Sequence, residues 1–274
     1  MHPTQPDPVP APTPEFKQRP AAKPPSEFER TVRQMAAMTD AAAHPRKPFQ
    51  ARGSFIKRCD GCRMPRDFCI CGFRTPVTTQ AEFWVLMHRE ELNKPTNTAR
   101  LIGDTLPSSR VFMWQRNAPS EALLALLQDE RYQPFVIFPD DQPDYQHRVV
   151  AYDQAREAQT ARIPVFILLD GTWRQARRMF RKSPYLDHLP VLPVRSSRKT
   201  LYRLRKPASE AHLCTAEVGI ALLEMAGETR AAQVLQHYFQ VFNEGYAAAR
   251  KQTPASWSES MQWLSEQASH PVDD

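Results

Sequence analysis

The sequence predicts an α/β fold, a mostly parallel sheet with helices on both faces, preceded by a small cysteine-rich knuckle. Short runs of β-branched and aromatic residues alternate with segments of helical periodicity, which is the pattern of strand–helix–strand units with parallel strands. The runs are apolar without alternation, as in strands that are buried on both faces. Four of the five cysteines lie between positions 59 and 71, just before the first of these runs.

The first 50 residues form a separate, proline-rich segment. Proline recurs from Pro3 to Pro25, and a segment with so little apolar mass cannot offset the entropy that is lost on ordering. We therefore expect residues 1–50 to be a disordered tail without chemistry of its own. Inside this tail, residues 26–38 have the spacing of a short helix, with Phe28, Val32 and Met35 on one side.

The cysteine cluster predicts a metal site in residues 51–76. Its spacing, Cys-x-x-Cys followed by Cys-x-Cys, is typical of a tetrahedral zinc site with Cys59, Cys62, Cys69 and Cys71 as ligands. Thiolate sulfur selects zinc or iron–sulfur, and a compact loop without redox context favours structural zinc. Two disulfides or four free thiols are the alternatives, and a cytoplasmic location disfavours the disulfides.

Residues 77–250 contain the elements of the main α/β domain. We expect strands at 81–87, 110–114, 135–138, 163–169 and 191–194. Helices are expected to begin near Asn97 or Thr98, to cover 120–129 and 149–162, to follow Thr172, and to start again near 214 and 235. Residues 251–274 are expected to be a peripheral C-terminal segment with one further helix at 256–267.

The fourth strand is followed by the most informative turn of the chain. Asp170 and Gly171 lie between the carboxyl end of this strand and a helix that Thr172 can cap, with Gln175 placed to complete a capping box. Ligands of open α/β sheets bind at this edge, and a helix amino end attracts anions. Asp170 is therefore a candidate catalytic residue. A normal aspartate has a pKa of about 3.9, so Asp170 would be a weak base unless burial raised its pKa.

Two basic surfaces follow this turn. Arg174, Arg177, Arg178 and Arg181 form one stripe on the helix, and residues 195–207 contain Arg198, Arg203, Arg205 and Lys206. Like charges at helical spacing repel each other, and a polyanion such as RNA would relieve the repulsion. The alternatives are a solvated helix face and an exposed polar connection.

Composition excludes several classes of protein. The chain has only 8 glycines, and none are spaced as in a dinucleotide-binding or Walker A loop. No apolar run approaches the roughly 20 residues of a membrane span. The first residues contain no apolar core behind a basic start, so we expect that they are not a secretory signal. The net charge of +6 permits a nucleic-acid partner. We expect a cytoplasmic protein that does not associate with membranes.

The segment Asp170-Gly171-Thr172-Trp173 resembles the D-x-T-W signature of the DTW-domain family. Other features of that family occur in order along the chain, from about residue 55 to about residue 250. They are the cysteine cluster, His88-x-x-Glu91 followed by Lys94 and Thr96, the basic stretch that ends in Leu204-Arg205-Lys206, and Thr215-x-Glu217.

The resemblance implies a fold similar to the SPOUT superfamily of RNA-modifying enzymes, in which the chain is knotted near residues 195–207. It further implies a tRNA-uridine aminocarboxypropyltransferase. Such an enzyme transfers the 3-amino-3-carboxypropyl group of S-adenosylmethionine to N3 of a uridine in tRNA and releases methylthioadenosine. On this basis the cofactor-binding residues would be His88, Glu91, Asp170, Thr172, Trp173, Thr215 and Glu217.

Four of these residues have a plainer alternative. His88 at a strand end can be a structural hydrogen-bonding group, Trp173 a core residue, and Thr215 with Glu217 an ordinary helix start. Two other functions also stay open at this point, a SPOUT-like RNA methyltransferase and a non-catalytic, zinc-bearing RNA-binding module. The sequence leaves open which tRNA and which uridine would be modified, and what the oligomeric state is.

Overall fold

A computed structural model describes residues 20–42, 56–159, 161–194, 213–253 and 255–269. Its sheet has five strands, all parallel, in the order β2-β1-β4-β3-β5. They are β1 (Glu82–Met87), β2 (Arg110–Met113), β3 (Tyr132–Ile137), β4 (Ile163–Asp170) and β5 (Val191–Leu192). The predicted α/β class with a parallel sheet is confirmed.

Eight α-helices are present in the described part of the chain. They are α1 (Glu27–Ala42), α2 (Ala99–Thr105), α3 (Glu121–Leu127), α4 (Tyr152–Glu157), α5 (Trp173–Arg181), α6 (Thr215–Met225), α7 (Thr229–Lys251) and α8 (Glu259–Ser269). The helix expected at 149–162 is shorter, because Val149 and Val150 pair with Val191 at the edge of the sheet. The Val150 amide donates to the Val191 carbonyl oxygen at 3.0 Å and the Val149 amide to that of Gln146 at 3.1 Å, so α4 starts later.

The sheet is covered on both faces, as the apolar runs predicted. In β1, Phe83 and Val85 pack into the larger core with α1, α2, α6, α7 and α8, whereas Trp84 and Leu86 pack into a second core with α3 and α5. Successive strand residues point to opposite faces, so a strand between two helix layers must be apolar at every position. All six residues of β1 are buried.

The N-terminal segment differs from the expected disordered tail over the residues that the structure describes, 20–42. Here α1 packs against the core through Phe28, Val32 and Ala36, which are 4%, 0% and 6% exposed. Gly103 of α2 lets the helices approach closely, since an added Cβ would lie 2.2 Å from the Phe28 ring. The helical spacing was correct, and what composition could not reveal was an apolar partner surface for it.

The second basic surface lies outside the described residues. Arg198, Arg203, Arg205 and Lys206 fall in the stretch 195–212, as does the place where the resemblance implies a knot. Both stay predictions. Among the described residues, no helix has the length and apolar character needed to span a membrane.

Candidate functional site

Asp170 lies at the carboxyl edge of the sheet, where the sequence placed the site. It pairs in register with Met87 at the end of β1, and its carbonyl oxygen accepts a hydrogen bond from the His88 amide at 2.9 Å. Its side chain is buried, with only 3% of the residue exposed. The ends of the two central strands therefore bring Asp170 and the loop after β1 together.

The Asp170 carboxylate is held by donors from two other elements. Oδ2 accepts a hydrogen bond from Asn97 Nδ2 at 2.6 Å, and Oδ1 accepts one from Thr215 Oγ1 at 2.7 Å. A carboxylate with a donor on each oxygen is fixed in orientation. Thr215, predicted as a site residue, thus contacts Asp170 directly.

Asn97 joins Asp170 to a second buried carboxylate. Its Nδ2 also donates to Glu91 Oε2 at 3.2 Å, and Lys94 Nζ donates to Glu91 Oε1 at 2.7 Å. Only 1% of Glu91 is exposed. The Asp170 and Glu91 carboxylates are both acceptors, so the amide nitrogen of Asn97 must face them. The amide oxygen, Oδ1, is buried without a hydrogen-bond partner among the described residues. This oxygen can accept a hydrogen bond from a bound ligand.

The sequence did not identify Asn97 as a site residue. Asn97 or Thr98 was expected to begin α2, and Thr98 is the N-cap; its Oγ1 accepts a hydrogen bond from the Ala216 amide at 3.3 Å. The available signal was an asparagine in a loop that follows a buried strand. That signal is weak, because such residues are common in ordinary turns.

Asn97→Asp should be strongly destabilising. A third carboxylate would meet those of Glu91 and Asp170 and would remove the donor that they share, so we expect the free energy of unfolding to fall by about 3 kcal/mol at pH 7. The penalty should shrink on acidification towards pH 4, since protonation of the carboxyls removes the repulsion. Urea unfolding measures both effects. Asn93→Asp, on an exposed residue of the same loop, is the control, and equal unfolding of the two variants would contradict the role of Asn97.

The amino ends of two helices frame the site and are capped as predicted. At α5, Thr172 Oγ1 accepts from the Gln175 amide and Gln175 Oε1 accepts from the Thr172 amide, a capping box. At α6, Glu217 Oε2 accepts from the Cys214 amide at 2.8 Å. Glu217 thereby fixes the start of the helix that carries Thr215.

Trp173 is part of an aromatic stack. Its ring lies on Phe138 with centroids 5.6 Å apart, and Phe138 lies on Phe180 at 4.2 Å. The Arg177 guanidinium is 5.0 Å from the centroid of Trp173. These contacts anchor α5 on the sheet. The assignment of Trp173 to cofactor binding stays a prediction.

His88 lies beside Asp170 as a neutral ring. Burial lowers its pKa, and Nδ1 accepts a hydrogen bond from the Glu90 amide at 3.3 Å, which places the ring proton on Nε2. The ring stacks on Trp114, with centroids 5.9 Å apart, and Trp114 Nε1 donates to Ser183 Oγ at 2.8 Å. Trp114 is a further residue near the site that the sequence did not identify.

The predicted arginine stripe lies on the outer side of α5. Arg174, Arg178 and Arg181 are exposed, whereas Arg177 is partly buried and its Nη2 contacts Asp141 Oδ2 at 2.9 Å. Three of the four arginines are therefore exposed, and Arg174 lies in the first turn of α5, next to the carboxyl edge of the sheet. A polyanion bound there would lie against the Asp170 site.

The four cysteines of the knuckle form one cluster. Their sulfur atoms all lie within 4.8 Å of one another, at 3.3 Å for Cys59–Cys69, 3.6 Å for Cys59–Cys71 and 3.8 Å for Cys62–Cys69. Ligands of a tetrahedral zinc site with Zn–S bonds of about 2.3 Å are about 3.8 Å apart. Hydrogen bonds among the four thiols lower the pKa of Cys62 and Cys69 and raise that of Cys59 and Cys71. The cluster can hold a metal ion.

Two neighbours of the cysteine cluster also fit a metal–thiolate group. Gly61 leaves room for it, because an added Cβ would lie 2.5 Å from Cys71 Sγ. The same point is 3.1 Å from Nη2 of Arg74, a buried nitrogen without a hydrogen-bond partner among the described residues. A tetrathiolate zinc site carries net negative charge, and a buried guanidinium beside it is a suitable counter-charge and donor.

Comparisons with known proteins identify the family of the chain. The profile of the DTW domain matches residues 56–247, which include the cysteine cluster, Asp170 and Thr215. The protein named tRNA-uridine aminocarboxypropyltransferase 2 of Macaca fascicularis is 21% identical over 178 residues, or 61% of this chain, and the match spans 56% of that relative's length. No solved structure gives a significant match. Because the profile covers more than half of the sequence, the chain belongs to the DTW domain family.

Proposed function

We propose that this protein transfers the 3-amino-3-carboxypropyl group of S-adenosylmethionine to N3 of a uridine in tRNA. The products are 3-(3-amino-3-carboxypropyl)uridine and methylthioadenosine. The observation that carries the proposal is the buried Asp170 of the D-x-T-W segment, held by Asn97 and Thr215 at the ligand-binding edge of the sheet. Membership of the DTW family and the name of the macaque relative support it.

The reaction needs little general-acid catalysis from the protein. A bond forms between uracil N3 and the γ-carbon of the methionine moiety, the bond from that carbon to sulfur breaks, and its electron pair stays on sulfur. The N3 proton must go to a base. A sulfonium is already an activated leaving group, so holding the two reacting atoms in line and removing the proton are the main tasks.

Asp170 serves this reaction in one of two ways. It receives the N3 proton, or it binds the amino group of S-adenosylmethionine and orients the reacting carbon. The bond from the Glu90 amide occupies Nδ1 of His88, and Nε2 carries the ring proton, so His88 acts as a donor here. Asp170 is therefore the better candidate for the base.

Carboxylates near Asp170 suit the charged end of S-adenosylmethionine. Glu91 and Asp170 can bind an ammonium group, and the buried Asn97 Oδ1 can accept a hydrogen bond from it. Thr172 and His88 lie at the same edge and complete the proposed binding residues. Glu217 and Trp173 contribute by holding α6 and α5 in place.

The metal is proposed to be a structural Zn²⁺. Four protein thiolates fill a tetrahedral shell, and a site without an open position cannot activate water or substrate. Free thiols and thiolate–zinc sites persist in a reducing compartment, so we propose a cytoplasmic location.

The proposed tRNA contact predicts a specific salt dependence. The double substitution of Arg174→Glu with Arg178→Glu should weaken tRNA binding and reduce the slope of log K against log salt by about 2, because each lost phosphate contact contributes nearly one unit. Filter binding at several salt concentrations measures it. Arg230→Glu is the control, because Arg230 is exposed and lies near the opposite edge of the sheet. Its neighbour Glu228 accepts hydrogen bonds there from the amides of Gln80 and Ala81. An unchanged slope in the double variant would contradict the RNA role of α5.

Nucleoside mass spectrometry tests the function itself. Unmodified tRNA is incubated with the purified protein and S-adenosylmethionine, digested, and searched for a uridine that has gained an aminocarboxypropyl group. Detection of methylthioadenosine in equal amount would support the proposal. A methylated nucleoside would replace it with a methyltransferase, and bound but unchanged tRNA would favour a non-catalytic RNA-binding module.

A further inference from the structure

The helix α1 precedes the stretch that the DTW profile matches, yet it buries a charged residue in the core of the protein. Glu29 is 1% exposed, although its neighbours in the first turn, Glu27 and Arg30, are exposed. Burying a carboxylate is costly unless it is paired, so a buried glutamate needs a compensating partner.

Glu29 is paired with three arginines. Its Oε1 accepts hydrogen bonds from Arg63 Nε at 2.6 Å and from Arg33 Nε at 2.9 Å, and its Oε2 lies 3.6 Å from Arg100 Nη1. Arg33 is partly exposed, but Arg63 and Arg100 are 7% and 3% exposed. Glu29 is the carboxylate that the two buried guanidiniums share.

Both buried arginines also donate hydrogen bonds to the loop that carries the proposed site. Arg63 Nη1 donates to the carbonyl oxygen of Leu92. Arg100 Nη2 donates to the carbonyl oxygen of Pro95 at 3.2 Å and to that of the metal ligand Cys62 at 2.8 Å. The two carbonyls of the loop lie directly beside Glu91 and Lys94 in sequence.

The electrostatics make these contacts depend on one another. A buried guanidinium is costly unless a carboxylate compensates its charge, and Glu29 does so for both Arg63 and Arg100. A guanidinium presents its donors in a rigid fork, so an arginine whose carboxylate is lost must turn towards another acceptor or towards water. Loss of the Glu29 charge should therefore release Leu92 and Pro95 from their donors.

We infer that Glu29 is a positioning residue that fixes loop 88–98 through Arg63 and Arg100 and thereby couples the cysteine knuckle to the S-adenosylmethionine site. The part of the inference that concerns S-adenosylmethionine rests on the proposed function. The loop geometry rests only on the contacts above. The helix α1 then helps to fix the geometry of the site, although it lies outside the stretch matched by the family profile.

The test compares three substitutions in α1. Glu29→Gln keeps the size of the side chain but removes its charge, Glu27→Gln removes an exposed charge of the same turn, and Val32→Ala weakens the packing of the helix without touching the ion cluster. Hydrogen exchange of the ligand-free proteins is measured over residues 88–98. Titration calorimetry then gives the dissociation constant of S-adenosylmethionine, below the unfolding temperature of every variant.

Glu29→Gln should lose protection at the amides of Glu91, Lys94 and Asn97, which are hydrogen-bonded within the loop. It should raise the dissociation constant of S-adenosylmethionine by about tenfold, with little change of kcat at saturation. Val32→Ala should lower the melting temperature without these effects, and Glu27→Gln should behave as wild type. Should Glu29→Gln not fold, Arg63→Lys keeps the charge but cannot bridge Glu29 and Leu92 together, and the same losses are expected.

Wild-type loop protection in Glu29→Gln would overturn the inference, as would equal loop opening in Val32→Ala. The proposed function fails in a different way, because wild-type protein would then not bind S-adenosylmethionine. In that case hydrogen exchange in the absence of ligand still decides whether Glu29 fixes the loop.

Discussion

Asp170→Asn will lower the rate of aminocarboxypropyl transfer by about a thousandfold, the size of effect expected when a positioned base is lost. The substitution keeps the shape of the side chain. It removes the charge and replaces one acceptor oxygen by an amide nitrogen, which only donates. The new side chain therefore cannot accept hydrogen bonds from both Asn97 and Thr215. Single-turnover reactions on unmodified tRNA, followed by nucleoside mass spectrometry, measure the rate.

The affinity for S-adenosylmethionine in the same variant separates the two roles of Asp170. If Asp170 receives the N3 proton, Asp170→Asn should bind S-adenosylmethionine nearly as wild type does and fail in the chemical step. If it binds the amino group, the dissociation constant should rise as well. Asp153→Asn, on the exposed face of α4, is the control and should leave both unchanged. A rate within a few fold of wild type in Asp170→Asn would refute the assignment of Asp170 to the reaction.

Removal of the proposed zinc ion from the cysteine knuckle should have the second largest effect, a loss of thermal stability. We expect about one zinc ion per chain, and we expect Cys71→Ser or chelation to lower the melting temperature by about 10 °C or more, because the free energy of metal binding contributes to folding. The knuckle surrounds fully buried core residues, Met64 and Ile70, and holds Arg63 against Leu92. Elemental analysis and thermal unfolding with and without chelator measure these quantities.

Cys214→Ser is the matched control for the knuckle. Cys214 lies at the start of α6, outside the sulfur cluster, so its substitution should leave the zinc content unchanged. The disulfide alternative has a separate readout, because a bonded sulfur pair would be about 2.05 Å apart and would not react with thiol reagents. Protein without zinc, or melting that is insensitive to chelator, would show that the knuckle is stable without a metal.

The sequence was most informative where the structure is determined locally. The capping box of Thr172 and Gln175 follows from residues three positions apart, and the turn at Asp170 follows from a buried strand before a capped helix. The convergence of the cysteines was also predictable, because short spacings within one loop leave few arrangements. The parallel sheet followed from short apolar runs without alternation, separated by segments of helical periodicity.

The features that sequence reasoning missed depend on contacts between distant parts of the chain. The Asn97 side chain acquires its role only when β4 brings Asp170 beside the loop after β1. Glu29 is likewise an ordinary helix residue until α1 meets Arg63 and Arg100. Local propensity contains no information on such partners. The spacing of α1 did predict its apolar side, but not the core surface that this side packs against.

The strand order also affects how this protein is made. β1 is paired with β4, so Met87 finds its partner Asp170 only after most of the domain has been synthesised. Until then a strand that is apolar on both faces has β2 on one side and an open edge on the other. Such late, non-local pairing slows folding and exposes nascent chains to aggregation. The pairing of β4 with β1 is also what brings Asp170 beside Asn97, so a chain in which this pairing has not formed lacks the candidate site.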